Sequence, residues 1–260
     1  MPLDEPTAER LRLPAYPRSS AYDPEWILAN QMGPNVLWLA ESLTSVMTLE
    51  PGMRVLDMGC GRALSSIFLA RELGVQVWAT DLWIDATGNW ERICEAGVQD
   101  SVFPIHAEAH ALPFADGFFD AAVSLDAYHY FGTDDLYIGQ FSRLVRPGGE
   151  IGISVPSLTA ELEGEIPGHL QPFWEWDFGS FHSPDWWAWH WKKSGLVEVV
   201  SADLIPDFWK HWALWDEVAA EHGYSPAGRQ RDPRGAREAA MLHADGGRTI
   251  GFARVVGRRA

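Results

Sequence analysis

Five short apolar runs, separated by links and amphipathic stretches, constrain this chain more than any other feature. They read as strands at residues 54–57, 75–82, a short segment ending near 106, 118–126 and 146–156. Helical spacing fills 62–73, 86–96 and 133–144. Strand and helix alternating through short links imply a parallel sheet with right-handed crossovers and helices on both faces. The fourth run, FFDAAVSLD, is almost continuously apolar, which suits a strand covered on both sides. Later, VEVVSADLI (197–205) and RTIGFARVVG (248–257) bring the expected sheet to seven strands.

In an open parallel sheet, ligands settle at the carboxyl ends of the strands. The turn after the first strand, VLDMGCGRAL, therefore carries the first functional signal. Gly59 and Gly61 let the backbone turn sharply and approach a ligand without an intervening side chain. A dinucleotide fingerprint needs a third glycine, and Leu64 stands there instead. Asp57 at the end of the strand would repel a pyrophosphate but welcome an ammonium or sulfonium cation. Asp81 ends the second strand, where an acid can accept ribose hydroxyls. A cationic nucleoside without phosphates fits both acids, and S-adenosylmethionine is one. The bland alternative is a tight strand-to-helix turn with Asp57 as a helix cap.

Over residues 50–156 the chain resembles the class I S-adenosylmethionine-dependent methyltransferases, with likeness to the ubiquinone/menaquinone-biosynthesis and cyclopropane-fatty-acid-synthase-like groups. VLDMGCGRA resembles the family's first motif and ATDL its ribose-binding acid. HAEAHALPFADGFFDAAVSLDAYHYF is similar to the adenine loop and fourth strand, and RLVRPGGEI to the approach to the fifth. The resemblance implies a Rossmann-like seven-stranded sheet and S-adenosyl-L-methionine as cofactor. It implies that Asp57, Gly59 and Gly61 hold the methionine end and Asp81 the ribose. Glu108 and Ala109 would face the adenine edge, with Leu82 and Leu125 packing at the ring. Where the family more often has Gly-Asp, this chain has Ala107-Glu108.

The expected organisation is a single domain over 1–260. An N-terminal arm and helical lid occupy 1–49, with 1–24 an irregular proline-rich arm and two helices meeting at Gly33-Pro34. A cofactor-binding core spans 50–200. Residues 201–260 carry the last strands, a helical insert and a Gly/Pro/Arg-rich loop.

Methyl transfer needs alignment more than a covalent nucleophile, and a base only where the acceptor must lose a proton. DAYHYF follows the fourth strand at the crevice rim, making His129 a candidate general base, with Asp126 or Tyr130 orienting it or the substrate. The competing reading is a hydrogen-bonded structural histidine among packing tyrosines. Fourteen tryptophans, nine of them between Trp174 and Trp215, suggest either an aromatic acceptor pocket or simple docking of the insert. Glu175 and Asp177 would help a cationic acceptor.

The net charge of -16, from 36 acids and 20 bases, disfavours nucleic acid. No apolar stretch approaches a membrane span or signal peptide, and Cys60 and Cys94 give no disulfide framework or metal site. The expectation is a soluble, cytoplasmic methyltransferase without stable membrane association, with self-association left open. Its acceptor is a small molecule, methylated at N, O or C, with aromatic or amine-bearing compounds favoured. The alternatives are modification of a lipid-like acyl chain and a non-catalytic cofactor-binding regulator.

Overall fold

The computed structural model describes residues 3–225 and 233–260, with the side chains of 233 and 234 excepted. Seven strands form one sheet in the order β3-β2-β1-β4-β5-β7-β6. They are β1 (Arg54–Met58), β2 (Gln76–Asp81), β3 (Val102–His106), β4 (Phe119–Leu125), β5 (Val145–Leu158), β6 (Val197–Leu204) and β7 (Ile250–Arg259). All neighbours are parallel except β7, which runs antiparallel to both β5 and β6. The chain crosses back over the sheet between β1 and β4, which opens a crevice at their carboxyl ends.

Side chains alternate across the strands and divide the core. Val55, Ala121 and Val123 face one apolar cluster, built with α3 (Val36–Thr44), α4 (Leu64–Leu73) and α8 (Phe208–His222). Leu56, Met58 and Ala122 face a second, built with α6 (Tyr137–Arg143) and α7 (Pro184–Lys192). The caps follow from local chemistry: Asn35 accepts the Leu37 amide at 3.0 Å, and Ser183 the Trp186 amide at 3.2 Å ahead of Pro184.

Three expectations change. The arm before residue 24 is not wholly irregular, since α1 (Glu5–Arg10) is capped by Asp4 and Tyr16 is buried. The expected helix over 133–144 begins only at Tyr137, after Leu136 N–H is drawn to Asp134 Oδ1 at 2.7 Å. The stretch expected as a Gly/Pro/Arg-rich loop contains the helix α9 (Pro233–Asp245), while 226–232 lie outside the described residues. AREAAMLHA is rich in helix formers, and Ala239, Met241 and Leu242 are buried along it.

For the tryptophans of α7, where the sequence left pocket and packing open, the structure shows packing. Trp187 and Trp191, four residues apart, are fully buried against Tyr128 under the sheet. Trp186 stacks between His182 and His190, and Trp189 is exposed beneath Lys193. None of the four lines either large cavity described below. No helix among the described residues is long and apolar enough to cross a membrane.

Candidate active site

A cavity of about 310 Å³ sits over the carboxyl ends of β1, β2 and β4. Its floor is the turn after β1, where Gly59 (φ 74°) and Gly61 (φ 53°) take the left-handed conformation that a side chain disfavours. A Cβ on Gly59 would also overlap Ala127. Ala63 is left-handed too, so α4 starts only at Leu64, two residues later than its spacing suggests.

The two acids of the sequence argument behave differently. Asp81 lines the cavity. Its Oδ2 accepts the Gly61 amide at 2.8 Å, and its Oδ1 accepts the Trp83 and Ile84 amides at 2.7 and 2.9 Å. A carboxylate has about four acceptor sites, so one remains for a ligand hydroxyl where two were expected. Asp57 lies behind the wall. Fully buried, it accepts the hydroxyls of Ser65 and Ser66, each at 2.6 Å, which ties the turn to the first residues of α4. Burial pushes its pKa up to about 6, eased by the two serines and raised further by Asp81. Asp57 thus supports the turn from beneath, while Gly59 and Gly61 line the cavity.

Leu82, Glu108, Ala109 and Leu125 also line the cavity. Glu108 accepts the His110 amide at 2.8 Å and faces His110 Nδ1 at 2.7 Å, contacts that hold its carboxyl below the usual range. The link between α2 (Pro24–Ala29) and α3 roofs the space with Asn30, Met32, Gly33 and Pro34. Trp215 pins this link: its indole N–H reaches Gln31 Oε1 at 2.6 Å and the Gly33 carbonyl at 3.1 Å. Tyr22 donates to Glu72 at 2.9 Å and packs on Trp26, away from the cavity.

A second chamber of about 290 Å³ adjoins the first. Asp126 and Tyr130 line both, together with Met32, Gly33, Pro34 and Trp83. Asp126 is in the left-handed region (φ 55°), and its Oδ2 lies so close to Gly33 that a Cβ there would collide with it. Burial drives the Asp126 pKa well above the carboxylate range. His129 lines only the second chamber and is 4% exposed, with Nδ1 unpartnered and the Tyr130 ring tilted against it at 4.0 Å between centroids. Burial lowers its pKa to about 3, so its imidazole is neutral and a weak base near neutral pH.

Reasoning from sequence missed the far wall of this chamber. Gln31 comes from the link, Trp212 and Asp216 from α8, and Glu238 from α9. One signal was present. Asp216 sits on the Trp212-Trp215-Ala219 stripe of α8, where an acid on a buried face needs a reason.

The fold is a Rossmann-like α/β sheet with two adjoining cavities over the carboxyl ends of its central strands. Residues 55–149 match the profile of a methyltransferase domain. The 2-methyl-6-phytyl-1,4-hydroquinone methyltransferase of a Synechocystis strain is 27% identical over 192 residues, covering 68% of this chain and 58% of that protein. Two solved structures share the fold. The [4+2]-cyclase SpnF has a TM-score of 0.67 at 21% identity, covering 85% of this chain and 79% of that one. Geranyl diphosphate C-methyltransferase from Streptomyces coelicolor A3(2), solved with Mg2+, geranyl diphosphate and S-adenosyl-L-homocysteine, has 0.65 at 17%, covering 85% and 78%. The chain spans about half the length of the curated relatives it matches. The match marks residues 55–149 as similar to a methyltransferase domain, and the solved structures share its Rossmann-like fold.

Proposed function

We propose that the chain transfers a methyl group from S-adenosylmethionine to a small molecule held in the second chamber. The observation that carries this reading is the junction of the two cavities at Asp126 and Gly33, beside the glycine turn. The residues of the first cavity fit the cofactor: a side-chain-free floor at Gly59 and Gly61, one free acceptor site on Asp81, and an apolar wall at Leu82, Ala109 and Leu125. Gly59 and Gly61 would hold the methionine end, Asp81 a ribose hydroxyl, and the Glu108-Ala109 segment the adenine. When bound, the cofactor supplies an activated methyl group at its sulfonium.

The remaining work belongs to the protein. The link over residues 30–34 covers both cavities, excludes water and brings the acceptor into line. Asp126, at the junction, is placed to orient the acceptor or take its proton, and its raised pKa favours the second role. Tyr130 and His129 shape the chamber. Carboxyls in the chamber wall argue against an acyl-chain acceptor, and a formed acceptor chamber argues against a purely regulatory binder.

The test has two arms. Calorimetry should give heat on addition of S-adenosylhomocysteine, and a methyl-labelled cofactor should label a compound in the polar fraction of a metabolite extract. Label confined to lipids, or cofactor binding with no transfer into any extract, would overturn the reading.

A further inference from the structure

Five residues lining the second chamber hold their rings in successive contact: Phe178, Phe181, His129, Tyr130 and Trp83. Phe178 and Phe181 stack at 4.8 Å between centroids, 18° apart, because side chains three apart on a 3-10 turn eclipse one another. Phe181 meets His129 edge-on at 5.8 Å, His129 meets Tyr130 at 4.0 Å, and Tyr130 meets Trp83 at 5.6 Å. Burial lowers the His129 pKa to about 3, so the central ring is uncharged near neutral pH, like its neighbours.

The arc rises from the chamber wall to a rim. Phe181 and His129 are 7% and 4% exposed, whereas Tyr130 and Trp83 emerge at 55% and 68%. Both rim residues also line the first cavity. The rim is tied to that cavity's own framework, since Asp81 Oδ1 accepts the Trp83 amide at 2.7 Å. Apolar surface exposed at the mouth of a cavity is surface that a guest can cover.

Aromatic rings carry negative faces and positive edges, so successive tilted rings match a flat aromatic guest at its face and its edge alike. A saturated guest of the same skeleton buries similar area, but its puckered rings are thicker and lack that match. The preference rests on ring geometry and holds whatever charge the rest of the wall carries.

We propose that the second chamber selects a flat aromatic ring system, laid along the arc from Phe178 to Trp83 with one end toward the first cavity. That this guest is the methyl acceptor rests on the methyl-transfer reading; the chamber's choice of ring does not.

Two alcohols separate the outcomes: 2-naphthol and trans-decahydro-2-naphthol share a carbon skeleton and a hydroxyl, and differ in flatness and aromaticity. Each is titrated calorimetrically into the full chain, with and without S-adenosylhomocysteine. The aromatic alcohol should bind about threefold to tenfold tighter, the scale of one or two aromatic contacts beyond equal burial. Phe181 lines only the second chamber, so Phe181→Leu should remove most of that preference while leaving S-adenosylhomocysteine affinity near that of the parent. Should that variant fail to fold, Phe178→Leu, at a half-buried position of the arc, should show the same selective loss. Equal affinity for the two alcohols, tighter binding of the saturated one, no heat from 2-naphthol, or an unchanged preference in the folded variant would overturn the proposal. Heat from 2-naphthol with none from S-adenosylhomocysteine would keep the chamber's assignment and remove the methyl-transfer reading.

Discussion

Asp81 Oδ2 accepts the amide hydrogen of Gly61 at 2.8 Å, so the acid at the end of β2 holds the glycine turn at the end of β1 in place. Its other oxygen fixes the two amides that begin the next turn. Asp81→Ala thus removes three acceptor contacts together with the ligand's own. Each charge-assisted hydrogen bond is worth about 1.5–3 kcal/mol. Affinity for S-adenosylhomocysteine, read by calorimetry, should fall by roughly tenfold to a hundredfold or more. An unchanged affinity would show that the acid serves the fold alone.

Gly33 is glycine because of what faces it. Its φ is not in the left-handed region, but a Cβ would collide with Asp126 Oδ2. Gly33→Ala must displace either the link over the cavities or the Asp126 carboxylate. Overpacking of this kind costs about 1–3 kcal/mol. Turnover should fall with it, because the displaced groups sit where the cavities meet. In an Asp126→Ala background the same substitution should be nearly harmless, and the difference between the two costs measures the coupling.

Asp57 gives a pH dependence with a definite sign. Its carboxyl titrates near 6 when folded against 3.8 as the reference value, so the folded state holds the proton more tightly. Its contribution to stability is greatest below about 3.8, falls as pH rises toward 6, and is constant above. The full change is roughly 3 kcal/mol by linkage. Asp57→Asn keeps one oxygen for the Ser65 and Ser66 hydroxyls, in bonds weaker than those to a carboxylate, and escapes this titration. The variant's deficit in melting temperature should therefore shrink between pH 4 and pH 7. A deficit independent of pH would contradict the raised pKa.

What the sequence reveals divides along the same physical lines. Strands and helices around the first cavity are legible because their apolar periods are local. The cradle of Gly59, Gly61 and Asp81 is legible because turn chemistry is local too. Direction is harder to read. Asp57 follows Val55 by two residues, so it faces the α4 side with Val55 rather than the crevice, and two serines on α4 meet it there. The tryptophans mislead because abundance looks like a binding surface, whereas Trp187 and Trp191 at a spacing of four form one buried helix face. The second chamber draws Gln31, Asp126, Asp177, Asp216 and Glu238 from distant parts of the chain, and no local spacing announces such a set.

His129 should remain neutral wherever the protein is folded. Burial lowers its pKa from 6.5 to about 3, so its contribution to stability is complete above about 6.5 and is lost as pH falls toward 3. NMR of the imidazole should show no protonation down to about pH 5. His129→Gln should lower turnover through altered packing against Tyr130 and Phe181, without moving the acid limb of the rate profile. An acid limb near pH 6.5 that vanishes in the variant would restore His129 as the general base.

Trp215 tests whether the link over the cavities is held from below. The indole donates to Gln31 Oε1 and to the Gly33 carbonyl, and its ring is fully buried against Trp38. Trp215→Phe keeps an aromatic ring but leaves both acceptors without that donor, a loss of about 1–3 kcal/mol for a buried group. The released segment lines both chambers, so the variant should bind S-adenosylhomocysteine more weakly. Amide exchange at residues 30–36 should quicken while α4 and the central strands stay protected. If exchange quickens evenly across the sheet, Trp215 is a core residue and does not control the roof. If exchange stays slow throughout, the link is secured by its other contacts.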